Sequence, residues 1–313
     1  MLNKVLDINK LASDFLYDPE GFIRESEKSY HRSLEEIAYR LAHNDERRDV
    51  LLLSGPSSSG KSTSASLIRE YLHNEGIDSI AMSTDDFFFD RDELDGFGTE
   101  IDLEASTIVN ERLLQAKISE LMECGEAYLP SFDFVSGRKI YKEQKDSLGK
   151  NGIIIIEGIH ALNKQVVNPD LDIDTVRVYI SLASSVEMEG KIVSGRNLRF
   201  ARRSVRDSKF RGASFAETTE MWSNICIGED KNITPYIDTA NYIVDTFMPY
   251  ELFVLKKDFV RLFEEAKASD SDIANIPFIR NLIELYSRCP EADVSLLPER
   301  SLIREFVGGG IYG

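Results

Sequence analysis

A glycine- and serine-rich segment that begins at Gly55 has the residue types that bind phosphate. Its sequence, G-P-S-S-S-G-K-S, fits the pattern G-x-x-x-x-G-K-[S/T] in full. In this pattern the backbone N–H groups approach a phosphate closely, the lysine reaches the β- and γ-phosphates, and the last hydroxyl ligates Mg²⁺. The segment therefore predicts a site for a nucleoside triphosphate. The candidate nucleotide-binding residues are Gly55, Pro56, Ser57, Ser58, Ser59, Gly60, Lys61, Ser62 and Thr63.

Carboxylates follow two apolar runs of the sequence. Asp85 and Asp86 come after the run at residues 79–82, and Glu157 comes directly after four isoleucines. Phosphoryl transfer to a hydroxyl needs one carboxylate to accept the proton and others to hold Mg²⁺. Because ligands bind at the carboxyl ends of parallel strands, Asp85 and Glu157 are the main candidates for these roles. The alternative is that these acids only face solvent where the strands end.

Two phenylalanines, Phe132 and Phe134, are separated by one residue after Pro130. In an extended segment they lie on the same face, because side chains alternate with a period of two. Aromatic faces stack on nucleobases, so the pair could bind a base. From the sequence alone, two phenylalanines of the hydrophobic core are the favoured interpretation.

Arginines are concentrated between residues 196 and 212. Arg199, Arg202, Arg203 and Arg206 are spaced so that a helix places them on one face. Like charges on one helix face are unfavourable unless an anion binds there. We therefore expect a mobile lid that closes over the triphosphate, where arginine contacts can be worth ~10³–10⁵ in rate. The alternatives are an RNA-binding helix and a solvated face paired with the acidic loop.

Five short apolar runs alternate with helical patterns and must position these groups. Continuous apolar strands between helices indicate an α/β fold, a parallel sheet flanked by helices. We expect an N-terminal helical arm over residues 1–48, a phosphate-loop domain over residues 49–250 and a C-terminal helical extension packed on it over residues 251–313. The arm includes a helix that begins near Asp18 and Pro19.

The composition restricts the partners and the compartment. The net charge is −17, so most of the surface repels nucleic acid and anionic membranes, and an anionic ligand needs a local basic site. No apolar run is long enough to span a membrane. Cys124, Cys226 and Cys289 are too few and too scattered for a disulfide framework. We expect a cytoplasmic protein without a membrane or nucleic-acid partner.

The motifs together resemble a known family. The phosphate loop, Thr84-Asp85-Asp86-Phe87-Phe88, Asp102, the phenylalanine pair, Glu157-Gly158-Ile159 and the arginine segment occur in the order found in uridine kinase-like nucleoside kinases. These enzymes belong to the phosphoribulokinase/uridine kinase family, and the resemblance covers about residues 50–250. Residues 303–309 are similar to the C-terminus of a bacterial branch of that family.

The resemblance implies a P-loop NTPase-type fold, ATP and Mg²⁺ as cofactors, and a nucleoside, uridine or cytidine, as acceptor in a homo-oligomeric kinase. It implies that Asp85 takes the proton of the ribose 5′-hydroxyl and helps Ser62 and Glu157 to hold Mg²⁺, and that Asp102 binds the ribose hydroxyls. It also implies roles for other residues. Phe132 and Phe134 surround the base, Lys61, Arg203 and Arg206 act in catalysis, Arg199 binds the nucleotide, and Arg211 binds the substrate.

Two departures from the family concern recognition of the base. Gly137 stands where animal uridine-cytidine kinases have a histidine that reads the pyrimidine, and Phe88 stands where they have a tyrosine. Neither change affects phosphoryl transfer. The sequence therefore also allows a kinase of another hydroxylated metabolite, of the sugar phosphate or pantothenate type. A non-catalytic ATP-binding protein with a regulatory or RNA-associated role is the remaining alternative.

Overall fold

A computed structural model describes residues 4–43, 49–94, 106–167 and 173–312 of the chain. Asp102, expected to bind the ribose, lies outside the described residues. In chain order the strands are β1 Val5–Asp7, β2 Val50–Ser54, β3 Ser79–Ser83, β4 Glu126–Ala127, β5 Pro130–Asp133, β6 Arg138–Tyr141, β7 Asp146–Ser147, β8 Ile153–Glu157, β9 Thr175–Ser181, β10 Ser185–Met188, β11 Lys191–Val193 and β12 Tyr242–Asp245.

The helices occur between and after these strands. They are α1 Ile8–Tyr17, α2 Pro19–His43, α3 Lys61–Asn74, α4 Arg91–Leu94, α5 Glu111–Cys124, α6 Gly195–Phe210, α7 Phe215–Asn232, α8 Glu251–Ser269, α9 Pro277–Ser287 and α10 Arg304–Val307. A single turn of 3₁₀ helix, Thr84–Phe87, follows β3. None of the described helices has the length and apolar character needed to cross a membrane.

The central sheet has five parallel strands in the order β12-β9-β2-β8-β3. All five apolar runs of the sequence form its strands, so the expected α/β fold is confirmed. Alternate residues of β2 enter separate hydrophobic clusters: Leu51 and Leu53 pack with α2, α3, α6 and α8, and Val50 and Leu52 pack with α5. Helices therefore cover both faces of the sheet, as continuous apolar strands require.

The N-terminal helices pack on the helix that follows the phosphate loop. At the start of α2, Asp18 accepts a hydrogen bond from the Gly21 backbone N–H over 3.0 Å. Further along, the Tyr30 hydroxyl lies 2.7 Å from Ser64 Oγ on α3. In addition, β1 pairs in parallel with β10, and β10 pairs with β11. The first strand and helices are thus joined to the same core as the sheet.

An ion pair between α6 and α8 is fully enclosed. Arg202 Nε donates to Glu251 Oε1 over 2.9 Å, and Arg202 Nη2 donates to the Thr246 carbonyl oxygen over 2.6 Å. The exposed fractions are 0% for Arg202 and 1% for Glu251. The Met248 backbone N–H donates to Glu251 over 3.0 Å, and the Arg202 guanidinium lies 5.0 Å from the centre of the Phe306 ring. Because water does not reach either side chain, each charge is stabilised by the other.

Replacing Glu251 by Gln should leave a buried guanidinium without its anion. We expect the free energy of unfolding to fall by about 3–5 kcal/mol. The matched control is Glu265→Gln, because Glu265 pairs with Arg261 at 2.9 Å on the surface of α8. That change should cost less than about 1 kcal/mol. Urea unfolding at neutral pH measures both, and equally small losses would contradict the role given to the buried pair.

Candidate active site

The phosphate loop connects β2 to α3 and is packed closely on its outer side. A Cβ atom at Gly55 would lie 2.0 Å from the Ile180 carbonyl oxygen, and one at Gly60 would lie 2.3 Å from Leu302 Cδ1. Gly60 also has a φ of +91°, a left-handed conformation that side chains disfavour. Both glycines of the motif are therefore required by the packing around the loop.

The loop carries hydroxyl donors. The hydroxyl oxygens of Ser58 and Ser59 are buried and have no hydrogen-bond partner among the described residues. The Ser59 carbonyl oxygen accepts a bond from the Thr246 hydroxyl over 2.7 Å, which fixes the loop from the end of β12. Lys61 Nζ donates to the Pro56 carbonyl oxygen over 3.1 Å, so the lysine folds back over the loop. This arrangement is suited to a phosphate, which accepts hydrogen bonds from hydroxyl and backbone donors.

Two carboxylates lie beside the loop at the ends of neighbouring strands. Ser62 Oγ donates to Glu157 Oε1 over 3.1 Å. Burial raises the pKa of Asp85 and of Glu157 above their ordinary values, while the Lys61 ammonium opposes the shift in each. The charge of Asp85 also raises the pKa of Glu157. The structure thus brings Lys61, Ser62, Asp85 and Glu157 together, as the sequence predicts.

The same groups fit a hard divalent cation. A hydroxyl and two carboxylates are oxygen ligands, which Mg²⁺ prefers, and the two half-buried carboxylates would be stabilised by a nearby positive charge. Within the described ranges, no group of three or more histidine, cysteine or acidic side chains could hold a metal. Mg²⁺ takes few protein ligands and completes its shell with phosphate and water, so Ser62, Asp85 and Glu157 are the residues that would hold it.

Asp86 has a different environment from its neighbour Asp85. Its Oδ1 atom accepts a hydrogen bond from the Phe132 backbone N–H over 3.0 Å. This bond ties β5 to the turn after β3. Asp86 is thus a structural link between the half-buried carboxylate and the phenylalanine pair.

Three phenylalanines form an aromatic pocket next to this turn. The ring centre of Phe132 lies 5.5 Å from that of Phe88 and 5.2 Å from that of Phe134. The cavity has a volume of about 230 Å³, and its remaining lining residues are Phe89, Arg91, Leu94, Ile108 and Gly137. Phe132 packs partly on the hydrophobic core, whereas Phe134 is 58% exposed. The sequence alone favoured two core residues, and that interpretation is wrong for Phe134.

Two arginines of α6 contact the phosphate loop from outside. Arg199 Nη1 donates to the Ser57 carbonyl oxygen over 2.7 Å, and Arg203 Nη1 donates to Ser57 Oγ over 2.8 Å. Arg199 also pairs with Glu229 of α7, and its guanidinium lies 5.0 Å from the Trp222 ring centre. These contacts place both arginines against Ser57 of the loop in this structure.

Arg206 and Arg211 lie beside Asp207. Arg206 Nη2 donates to Asp207 Oδ1 over 2.7 Å, and Arg211 Nε lies 3.7 Å from the same oxygen. Burial and the charge of Arg206 lower the pKa of Arg211, while the nearby carboxylates Asp207, Glu305 and Asp85 oppose that shift. Arg211, just past α6, thus lies within electrostatic range of Asp85.

The arginines of α6 do not form an exposed basic face. Arg199, Arg202, Arg203 and Arg206 are all buried, and each has a carboxylate partner. The spacing correctly predicts their helix. Asp207 belongs to the same helix, but the partners of Arg199 and Arg202 come from α7 and α8, which the local pattern does not reveal. This burial contradicts a solvated face and removes the surface that an RNA-binding helix would need. Closure of the segment as a lid stays a prediction.

The sequence patterns did not single out Glu305 or Arg91. Thr63 Oγ1 donates to Glu305 Oε2 over 2.9 Å, although 242 positions separate them in the chain. Phe88, which the family resemblance connects with recognition of the base, lies directly after the turn that carries Asp85 and does line the pocket. Glu305 lies in no pattern that indicates a site.

Comparison with solved structures gives distant similarities. A structure described as a possible uridine kinase from Bacillus stearothermophilus is 18% identical, with a TM-score of 0.42, and the match covers 68% of this chain and 98% of that chain. The D-glycerate 3-kinase from Cryptococcus neoformans is 13% identical, with a TM-score of 0.31 and coverages of 93% and 88%. No curated protein sequence matches the chain.

Comparison with protein-family models gives a direct result. The model described as the phosphoribulokinase / uridine kinase family matches residues 50–251. This match runs from β2 to the first residue of α8, and it includes the phosphate loop, both half-buried carboxylates and the arginine helix. The chain therefore belongs to the phosphoribulokinase/uridine kinase family of P-loop kinases.

Proposed function

We propose that the protein transfers the γ-phosphoryl group of ATP to the 5′-hydroxyl of a nucleoside, with uridine and cytidine as the first candidates. One observation carries this proposal. A single short turn, Thr84–Phe87, joins the half-buried carboxylate of Asp85 to the aromatic pocket that begins at Phe88. A base stacked in that pocket would place its sugar on the side of the carboxylate and the phosphate loop.

The residues of the site have separable roles in this reaction. Lys61 and the loop N–H groups bind the β- and γ-phosphates, while Arg199 and Arg203 keep Ser57 and the loop in place. Asp85 accepts the proton of the acceptor hydroxyl, and its raised pKa makes it a stronger base than an exposed aspartate. When bound, Mg²⁺ supplies positive charge to the phosphate oxygens, and Ser62, Asp85 and Glu157 are the residues that would hold it.

A second candidate is phosphoryl transfer to a different hydroxylated metabolite. One feature of the pocket favours this second candidate. Arg91 is the only described lining residue with a polar side chain, so the lining offers few hydrogen bonds to the edge of a base. Stacking binds every base alike, whereas discrimination between bases needs hydrogen bonds to their edges.

A panel of acceptors decides between the two candidates. We expect ATP- and Mg²⁺-dependent ADP production with uridine or cytidine, because the pocket binds a flat base. The panel also includes purine nucleosides, ribulose 5-phosphate, fructose, glycerate and pantothenate. Turnover with only one of these last four would move the acceptor and keep the kinase. A chain that binds ATP and turns over none of them would favour the regulatory alternative.

Exchanging Asp85 for Asn should remove the proton acceptor and leave the phosphate loop intact. We expect kcat to fall by about 10²–10⁴-fold, with little change in the Kd for ATP. Asp86→Asn is the matched control at the neighbouring position. It weakens the link to Phe132, so it should raise the KM for the acceptor more than it lowers kcat. Wild-type turnover in Asp85→Asn would show that another group takes the proton.

Exchanging Phe134 for Ala should weaken acceptor binding, because base–aromatic stacking is worth ~1–3 kcal/mol per base. Since Phe134 is 58% exposed, the KM for the nucleoside should rise by about five- to tenfold. The KM for ATP should stay the same. Val135→Ala is the control, because Val135 is 89% exposed and does not line the pocket. An unchanged nucleoside KM in Phe134→Ala would contradict stacking at this position.

A further inference from the structure

Residues 301–308, here called the 301–308 segment, pack directly against the phosphate loop. Leu302 is fully buried and leaves no room for a Cβ atom at Gly60. Ser301 Oγ lies 2.9 Å from the hydroxyl of Tyr250, and the Phe306 ring lies under the guanidinium of Arg202. The segment lies outside the residues that match the family, which end at 251. It is nevertheless part of the wall of the nucleotide site.

Glu305 is the residue of this segment that reaches the phosphate-binding helix. The hydroxyl of Thr63, which is 2% exposed, donates to Glu305 Oε2 over 2.9 Å. A threonine hydroxyl has one proton to donate. While Thr63 donates its hydrogen bond to Glu305, its oxygen can only accept hydrogen bonds from other groups. A phosphate oxygen then cannot receive a hydrogen bond from Thr63.

The charge of Glu305 acts in the same direction. Thr63 lies in the first turn of α3, directly after Ser62, where the helix dipole and the backbone N–H groups favour an anion. A carboxylate held at this position repels a phosphate. Glu305 also interacts electrostatically with Arg211, which lies within electrostatic range of Asp85 as well. Glu305 therefore occupies the Thr63 hydroxyl, and its charge also acts on Arg211.

We propose that Glu305 is a further residue of the nucleotide site and that it limits the affinity of the site for nucleotide. A bound phosphate accepts the hydrogen bond of Thr63 in place of Glu305, and it also attracts the charge of Arg211. Release of the nucleotide then returns both groups to the carboxylate. The proposal rests on the P-loop kinase assignment and not on the identity of the acceptor.

The test is calorimetric titration of the full chain with ADP and Mg²⁺, without any acceptor. Glu305→Gln keeps the shape of the side chain and removes its charge, so ADP should bind about three- to tenfold more tightly. Glu305→Ala should change the affinity in the same direction, which gives a second reading if one variant does not fold. Glu299→Gln is the matched control, because it removes an equal charge from an exposed position nearby. Its Kd should stay within about twofold of wild type.

A double-mutant cycle separates this role from a structural one. In the Thr63→Val background, Glu305→Ala should gain less affinity than in the wild-type background, because the hydroxyl that the alanine variant releases is missing. Weaker or unchanged ADP binding in Glu305→Gln would overturn the proposal, and so would an equal gain in Glu299→Gln. A failure of the proposed function appears differently, since turnover would then be absent with every acceptor while the wild-type chain still binds ADP.

Discussion

Arg199 and Arg203 each donate a hydrogen bond to Ser57, and these two bonds fix the position of the phosphate loop. Several other elements of the structure hold the two guanidinium groups in place. Both belong to α6, which is buried along most of its length. A buried cation needs an anion, and Glu229 and Asp207 supply it. The positions of α6, α7 and the loop are therefore coupled through one set of charged hydrogen bonds.

This arrangement explains how a chain with a net charge of −17 can bind a triphosphate. The surface field is unfavourable to anions, but the donors of the loop lie in a partly buried site where water screens them less. Most of the arginine charge is already neutralised by carboxylates inside the protein. Attraction of the phosphates then depends on the loop itself, on Lys61 and on Arg211. Local geometry, more than net charge, decides what this site binds.

Local patterns in the sequence were enough to predict the sheet, the loop and the two half-buried carboxylates. Each of these depends on residues that are close in the chain: an apolar run, a turn of glycines, an acid at a strand end. The environments of the arginines and of Asp86 depend on partners far along the chain, such as Glu251 and Phe132, which no local pattern identifies. Glu305 is the extreme case, because its partner Thr63 belongs to a motif near the other end of the sequence. The role expected for Asp102 stays a prediction.

The contact between Gly60 and Leu302 has a consequence for the order in which the protein folds. The central strand β2 pairs with β8 and β9, each about a hundred residues later, and its loop is completed by a side chain more distant still. Contacts of such long sequence separation form slowly and late, since the intervening chain must close first. During synthesis the sheet can therefore assemble before residue 302 has left the ribosome. The newly made chain is then a folded sheet whose phosphate loop still lacks the packing of Leu302 against Gly60.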